Sequence, residues 1–117
     1  MKKLFFFLSL FFSCFMAFAQ EKPMFPGGDE ALKKYLSENV KYPAASMDNG
    51  IEGTVLVGFM VASDGSINNI KIIKYVDPDL ESEAIRVVSG MPLWVPAEKD
   101  GVKVEAPAVV NVPFLLE

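Results

Sequence analysis

The side chains best placed to do chemistry in this sequence are four closely spaced carboxylates, Asp77, Asp79, Glu81 and Glu83. Alternating carboxylates can bind calcium, but the central glycine and the distal glutamate of an EF-hand loop are missing here. The same positions fit the start of a helix, with Asp77 as the N-cap and further carboxylates stabilising the positive end of the helix dipole. We therefore interpret the cluster as a helix start.

Nucleophilic and metal-assisted catalysis have little support in the sequence. No histidine is present and the only cysteine is Cys14, so the serines have no histidine base, and a His/Cys site for zinc or haem cannot be built. Asp64 precedes Gly65 in a tight turn, where aspartate is common for conformational reasons. We expect no catalytic, cofactor-binding or metal-binding residues and predict that the protein is not an enzyme.

The charge balance argues against a nucleic-acid partner. The 117 residues contain 11 basic and 15 acidic side chains. Without Lys2 and Lys3, nine basic groups remain against 15 acidic ones, a net charge of −6. Because polyanions are bound through basic surfaces, we do not expect binding to nucleic acid.

The length allows a single domain.

Residues 1–19 have the parts of a secretory signal peptide: a positive start, an apolar run, and Ala17-Phe18-Ala19 before Gln20. We predict cleavage between Ala19 and Gln20 and a mature protein outside the cytoplasm. Two alternatives stay open, a membrane anchor retained through residues 4–19 and a lipid attached to Cys14. A mature chain without cysteine depends on its core for stability.

Hydrophobic periodicity predicts two helices and three strands after a short irregular lead over residues 20–28. The predicted elements are a helix over 29–40, a loop over 41–50, strands over 52–62 and 67–76, a helix from 77 to 89, and a last strand over 102–116. The first two strands form a β-hairpin. This order predicts one α+β domain over 29–117, a two-layer sandwich with an antiparallel three-stranded sheet and two helices on one face.

The last predicted strand is the candidate binding surface. Pro107 and Pro113 cannot donate to a β-ladder, so we expect this strand at a sheet edge. Its free backbone can accept a strand from a partner or from a second copy. Alternatively, the prolines with Lys103 and Glu105 only protect the edge from aggregation. We assign the partner-binding edge to the apolar face of the strand, formed by Val102, Val104, Ala106, Ala108, Val110 and Val112.

Several short motifs occur in the order and spacing of one known family. They are Phe25-Pro26-Gly27-Gly28, Tyr42-Pro43, Gly50 to Val55, Val61 to Gly65, Asp77 to Leu80, Glu83 to Val88, Met91-Pro92, Trp94, Pro96 and Gly101 to Val104. Over residues 25–116 the sequence resembles the C-terminal domain of TonB-type energy transducers. Two positions depart from the family pattern, Ser46 in place of a common alanine and Ala97 in place of a common glycine.

The resemblance implies a periplasmic domain that docks on outer-membrane TonB-dependent transporters. In that family, an extended peptide near the transporter's N-terminus pairs with the last strand of the domain, and this pairing transmits inner-membrane energy. Tyr42 and Pro43 are then expected near the docking end. We add Trp94 to this candidate docking loop, although a tryptophan in such a connector more often seals the core.

A complete transducer of this family has a membrane anchor and a long proline-rich span. Fewer than ten residues separate the predicted signal peptide from the predicted domain here. We therefore expect a stand-alone domain that has no inner-membrane motor subunits as partners. A homodimer that pairs through the same edge strand and a transducer anchored by an uncleaved N-terminus are the alternatives.

Overall fold

The computed structural model describes residues 21–117. The predicted signal peptide, its cleavage site and Cys14 lie outside these residues. In chain order, the described elements are α1 (Asp29–Asn39), α2 (Ala44–Asp48), β1 (Gly53–Val61), β2 (Ile67–Lys74), α3 (Pro78–Ser89), β3 (Ala97–Lys99), β4 (Val102–Val104) and β5 (Ala106–Phe114). Within residues 21–117, no helix combines the length and hydropathy that a membrane span requires.

The main sheet is antiparallel, with β1 at its centre and the order β2–β1–β5. β1 and β5 pair without interruption from Gly53 opposite Phe114 to Val61 opposite Ala106. The pairing of β1 with β2 has two register shifts, and Asn69 in β2 has a positive φ of 53°. The helices cover one face of this sheet, which confirms the predicted α+β class and the three-stranded antiparallel sheet.

The core lies between that face of the sheet and the helices. Alternate residues of the strands and one stripe of α3 point into it, with Leu36 from α1. Its fully or nearly buried members include Val55, Val57, Phe59, Val61, Leu80, Ala84, Val87, Val88, Val110, Val112 and Phe114. Burial of this apolar surface, at about 25 cal/mol per Å², is the main term that stabilises the fold.

The opposite face of β1 is only half covered. Leu56 and Met60 are intermediate in exposure, although the apolar run of β1 predicted burial on both faces. None of the helices described within residues 21–117 covers this side, so among these residues Leu56 and Met60 are covered mainly by their neighbours in the sheet.

The last strand is shorter than predicted. Residues 102–104 pair with 97–99 in a separate hairpin, and Glu105 separates them from β5. Asp100 and Gly101 have positive φ angles of 55° and 79° and turn the chain back on itself. The prediction of one strand over 102–116 is therefore wrong at its start, because two successive strands with the same alternation resemble a single longer one.

Candidate strand-docking edge

β5 forms one edge of the main sheet, and no strand within residues 21–117 pairs with its outer side. The backbone groups that face outward follow from the register. Ala62, directly after β1, donates its amide to the carbonyl of Ser66 at 2.8 Å, on the β2 side. Because backbone groups alternate in direction along a strand, the odd-numbered residues of β1 face β5.

Each odd-numbered residue of β1 lies opposite an even-numbered residue of β5, as Val57 lies opposite Val110. The even-numbered residues of β5 therefore direct their amides and carbonyls toward β1, and the odd-numbered ones direct theirs outward. We call this outward row the free edge; it consists of Pro107, Val109, Asn111 and Pro113. Since proline has no N–H, the free edge offers four carbonyl acceptors and only two amide donors, from Val109 and Asn111.

The structure divides the residues that the sequence assigned to the partner-binding edge. Val102 and Val104 lie in β4, outside the main sheet. In β5, the side chains of Ala106, Val110 and Val112 are buried, and that of Ala108 is half-buried, and the backbone of all four faces β1. The apolar alternation marks the core face of an edge strand, so the four assigned residues of β5 face the core and β1 and not the outer side of the strand. That β5 binds a partner stays a prediction.

One feature of the sequence, the spacing of two prolines, indicates which residues of β5 form the free edge. Pro107 and Pro113 are an even number of positions apart, so their backbone groups face the same side of the strand. Because proline is tolerated in a sheet where no ladder bond is needed, the two prolines together indicate which row faces outward. Val109 and Asn111 share that row.

Two cavities lie between the free edge and helix α1, and we call them together the groove. One part of the groove has a volume of about 510 Å³ and is lined by Lys33, Leu36, Ser37, Val40, Asn111 and Pro113. A second part, of about 400 Å³, lies between the start of α1 and the start of β5, where it reaches Asp29, Leu32, Pro107, Ala108 and Val109. Low numbers in α1 thus face low numbers in β5, so the helix follows the strand along its length.

Tyr42 and Pro43 lie at the far end of β5. The ring of Tyr42 packs edge-on against Phe114 with centroids 5.5 Å apart, and its hydroxyl donates to the carbonyl of Ile51. Desolvation raises the pKa of the Tyr42 phenol, and the nearby Glu52 carboxylate raises it further. Pro43 directly precedes α2. These contacts fix the connection between α1 and α2 beside the end of the free edge.

Trp94 lies at the opposite end of β5 and belongs to the core. It is 6% exposed, and its ring contacts Phe25 and Phe59 edge-on at centroid distances of 5.9 and 5.1 Å. Phe59 is paired with Ala108, near the start of β5. The indole N–H has no hydrogen-bond partner among residues 21–117. The structure therefore does not bring Trp94 together with Tyr42 in one docking loop.

The segment before α1 closes the groove at the Trp94 end. Glu21 and Glu98 exchange backbone hydrogen bonds of 2.7 and 3.1 Å, and Met24 and Val95 exchange bonds of 2.9 and 2.8 Å. Residues 22–25 also line the second part of the groove. The lead that the sequence predicted as irregular is thus held against β3 and the connector before it.

A polar cluster fixes the C-terminal end of α1 against α3. Arg86 donates to both carboxylate oxygens of Glu83, at 2.8 and 2.7 Å, and to the carbonyl of Asn39 at 2.8 Å. The amide of Lys41 also donates to Glu83, at 2.7 Å. The hydroxyl of Tyr35 donates to the backbone of α3 at 2.8 Å. The hydrogen bonds from Arg86 hold the pKa of the Glu83 carboxyl below its usual value.

Asp77, Asp79 and Glu81, the other three of the four closely spaced carboxylates, lie at the start of α3, as the sequence predicted. Asp77 accepts hydrogen bonds from the amides of Asp79 and Leu80 at 3.1 and 3.4 Å. Glu81 accepts from the amides of Val76 and Asp77 at 2.5 and 2.6 Å. The bonds from Asp77, Asp79 and Leu80 satisfy amides that a helix start leaves without intrahelical partners, and the bond from Val76 holds the residue before the N-cap.

Ser46 joins α2 to this helix start. It is 1% exposed, and its Oγ donates to Oδ2 of Asp77 at 3.1 Å. An alanine at this position cannot make that hydrogen bond. The departure at Ser46 from the family pattern therefore adds a polar contact between α2 and α3. Ala97, the other departure, is fully buried in β3.

Comparison with known proteins gives a consistent result. Residues 38–116 match the model of the Gram-negative bacterial TonB protein C-terminal family. TonB of Helicobacter pylori strain 26695 is 32% identical over 78 residues, which are 66% of this chain and 27% of that protein. TonB of Helicobacter pylori strain J99 is 39% identical over 49 residues, 42% of this chain and 18% of that protein. The chain thus spans about a quarter or less of the length of these relatives.

Two solved structures also resemble this one. Both are NMR solution structures of the Helicobacter pylori TonB C-terminal domain. The longer fragment has a TM-score of 0.51 and 26% identity, covering 73% of this chain and 78% of that one. The shorter fragment has a TM-score of 0.50 and 25% identity, covering 70% of this chain and 88% of that one.

Proposed function

The chain belongs to the TonB C-terminal domain family, and from this membership we propose that its domain binds an extended segment of an outer-membrane transporter as an added strand on β5. The domain acts as a binding module and not as an enzyme. The observation that carries the proposal is the free edge, whose outward amides and carbonyls have no partner strand within residues 21–117.

A strand added at the free edge can form only a limited set of backbone hydrogen bonds with β5. Val109 and Asn111 are the two donors, and the four residues of the free edge supply carbonyl acceptors. A typical hydrogen bond contributes about 0.5–1.5 kcal/mol net, so the backbone alone supports weak and reversible binding. Additional affinity has to come from side chains of the bound segment, which favours a partner that fits the groove beside β5.

The site of action in this proposal is the periplasm, after removal of residues 1–19 between Ala19 and Gln20. N-terminal sequencing of the exported protein tests this part. A start at Gln20 supports a released domain, whereas a chain that retains residues 1–19 supports the anchored transducer. A lipid on Cys14 would contradict both.

Binding is tested by titrating the exported protein with synthetic peptides from the N-terminal segments of transporters of the same bacterium. Asn111→Pro is the informative variant, because it removes an outward donor and leaves the groups that face β1. The strand already contains proline at two of its four outward positions. Asn111→Thr changes the side chain but keeps the N–H, and serves as the control.

We expect at least one peptide to bind, with affinity about tenfold lower for Asn111→Pro and nearly unchanged for Asn111→Thr. Equal binding to both variants would show that the peptides do not use the free edge. Absence of binding at millimolar peptide would overturn the proposal. Sedimentation of the unliganded protein distinguishes the homodimer, because a dimer lost in Asn111→Pro would show that a second copy occupies the edge.

A further inference from the structure

Helix α1 lines the groove with two parallel stripes of side chains. One stripe is apolar and consists of Leu32, Leu36 and Val40, the last being the C-cap directly after α1; the other is polar and consists of Asp29, Lys33 and Ser37. Successive members of each stripe are four residues apart, which is about 6 Å along the helix axis. The groove wall that faces the free edge therefore has a regular repeat.

This repeat is close to the repeat of a β-strand. Alternate residues of a strand point to the same face and are about 6.6–6.8 Å apart. A strand added to β5 would place successive α1-facing side chains opposite successive members of the two stripes, with a mismatch of only about 1.5 Å over three positions. An extended segment can thus contact α1 at three consecutive alternate positions.

The three positions are not equivalent. Leu36, in the middle of the apolar stripe, is only 9% exposed, so an occupant of the groove can cover little more of its surface. Leu32 and Val40 are half-buried and have apolar surface left for an occupant. The outer two positions therefore favour apolar side chains more than the middle one does.

The charge beside the middle position is positive. Among residues 21–117, the charged side chains that line the groove are Lys22, Asp29 and Lys33, although residues 20–117 carry a net charge of −6. The Lys33 ammonium lies 3.7 Å from Glu30, and both side chains are more than 75% exposed, so this ion pair is weak. Lys33 can therefore exchange Glu30 for a carboxylate in the groove.

We propose that the groove selects an extended peptide segment with apolar side chains at its first and third α1-facing positions and a carboxylate at the second, facing Lys33. This inference rests on the proposed function, because strand addition on the free edge sets the spacing of those positions. Leu32 and Val40 select the apolar side chains. Charge complementarity with Lys33 fixes the register, since a shift of one residue would turn the carboxylate to the other face of the strand.

The probe is a synthetic seven-residue peptide that alternates threonine with valine, aspartate and valine, extended by Ser-Gly tails. Its affinity for the exported protein is measured by calorimetry, with Trp94 fluorescence as a second readout. Lys33→Glu is the test variant. Lys34→Glu is the matched control, because it makes the same charge change at the next exposed residue, outside the groove lining.

We expect Lys33→Glu to weaken binding of the aspartate peptide by about threefold to fivefold, and Lys34→Glu by less than twofold. A peptide with lysine in place of aspartate should show the reverse preference, binding Lys33→Glu better than the wild-type chain. Replacement of both valines by serine should weaken binding by about tenfold or more, and replacement of two threonines by serine should have little effect.

The outcomes separate this inference from the proposed function. Loss of binding in Asn111→Pro, with equal binding to Lys33→Glu and Lys34→Glu, would support strand addition and overturn selection by Lys33. Charge selection by Lys33 with unchanged binding to Asn111→Pro would support the groove contact and overturn strand pairing. Absence of binding by every peptide would overturn both, as would a groove already occupied by a second copy that the peptides do not displace.

Discussion

Gly65, in the turn between β1 and β2, lies directly against the backbone of Trp94. The amide of Trp94 donates to the carbonyl of Gly65 at 2.8 Å, and a Cβ atom on Gly65 would lie 2.3 Å from the carbonyl oxygen of Trp94. Gly65 also has a φ of +91°, which L-residues rarely adopt. The turn is thus docked on the connector that holds Trp94 in the core.

Gly65→Ala should therefore lower the free energy of unfolding by about 2 kcal/mol or more, from backbone strain and from the clash with Trp94. Gly101→Ala is the matched control, since Gly101 has a φ of +79° but no atom of the described residues 21–117 lies within 4 Å of an added Cβ. It should cost only about 1 kcal/mol. Urea unfolding measures both, and equal losses would contradict the close approach at Gly65.

Ser46→Ala should lower the free energy of unfolding by about 1 kcal/mol, because it removes a partly buried hydrogen bond to Asp77. Ser37→Ala provides the control, since the hydroxyl of Ser37 donates to Lys34 at an exposed position. That change should cost less than about 0.5 kcal/mol. A cycle with Asp77→Ala should show coupling between Ser46 and Asp77, and additive losses would mean that the hydrogen bond contributes nothing.

Protonation of the Glu83 carboxyl should account for part of the decrease in the free energy of unfolding in acid. Hydrogen bonds from Arg86 lower the pKa of Glu83 in the folded state, so its contribution is present above the ordinary pKa of 4.5 and is lost as the pH falls through the lower folded value. In Glu83→Gln this part of the acid loss should be absent. Urea unfolding between about pH 6 and pH 3, where carboxylates titrate, gives the free energy of unfolding of the wild-type chain and of Glu83→Gln. Parallel curves would contradict the role of the Arg86–Glu83 pair.

Amide hydrogen exchange of the unliganded protein should alternate along β5. Val110 and Val112 direct their amides toward β1 and should exchange slowly, whereas Val109 and Asn111 direct theirs outward and should exchange at least about tenfold faster. The test needs no partner and depends only on the register. Slow exchange at Val109 and Asn111 in a monomer would show that the free edge is already covered.

Much of the fold could be predicted from local pattern. The N-cap at Asp77 with the glycine at position 90 bounds α3, and the alternation of β1 places Val55, Val57 and Phe59 on one face. The short helix at 44–48 was missed because five residues are too few to show a helical period. The hairpin of β3 and β4 was missed because its pairing joins two three-residue strands that have no pattern of their own.

The candidate site was harder to predict than the fold. Apolar alternation identifies the core face of an edge strand. It therefore selected Val110 and Val112 as candidate binding residues and did not select Val109 and Asn111. The outward row depends on the direction of backbone groups, which is set by the pairing of β5 with β1 and has no side-chain signature apart from the two prolines. The groove arises from the position of α1 beside β5, which local periodicity does not encode.

The central claim, that the free edge of β5 accepts an extended segment, is tested most directly by amide exchange with a bound transporter peptide. At saturating peptide, the amides of Val109 and Asn111 should become protected by about tenfold or more, while those of Val110 and Val112 stay as slow as before. Binding that leaves exchange at Val109 and Asn111 unchanged would contradict the claim.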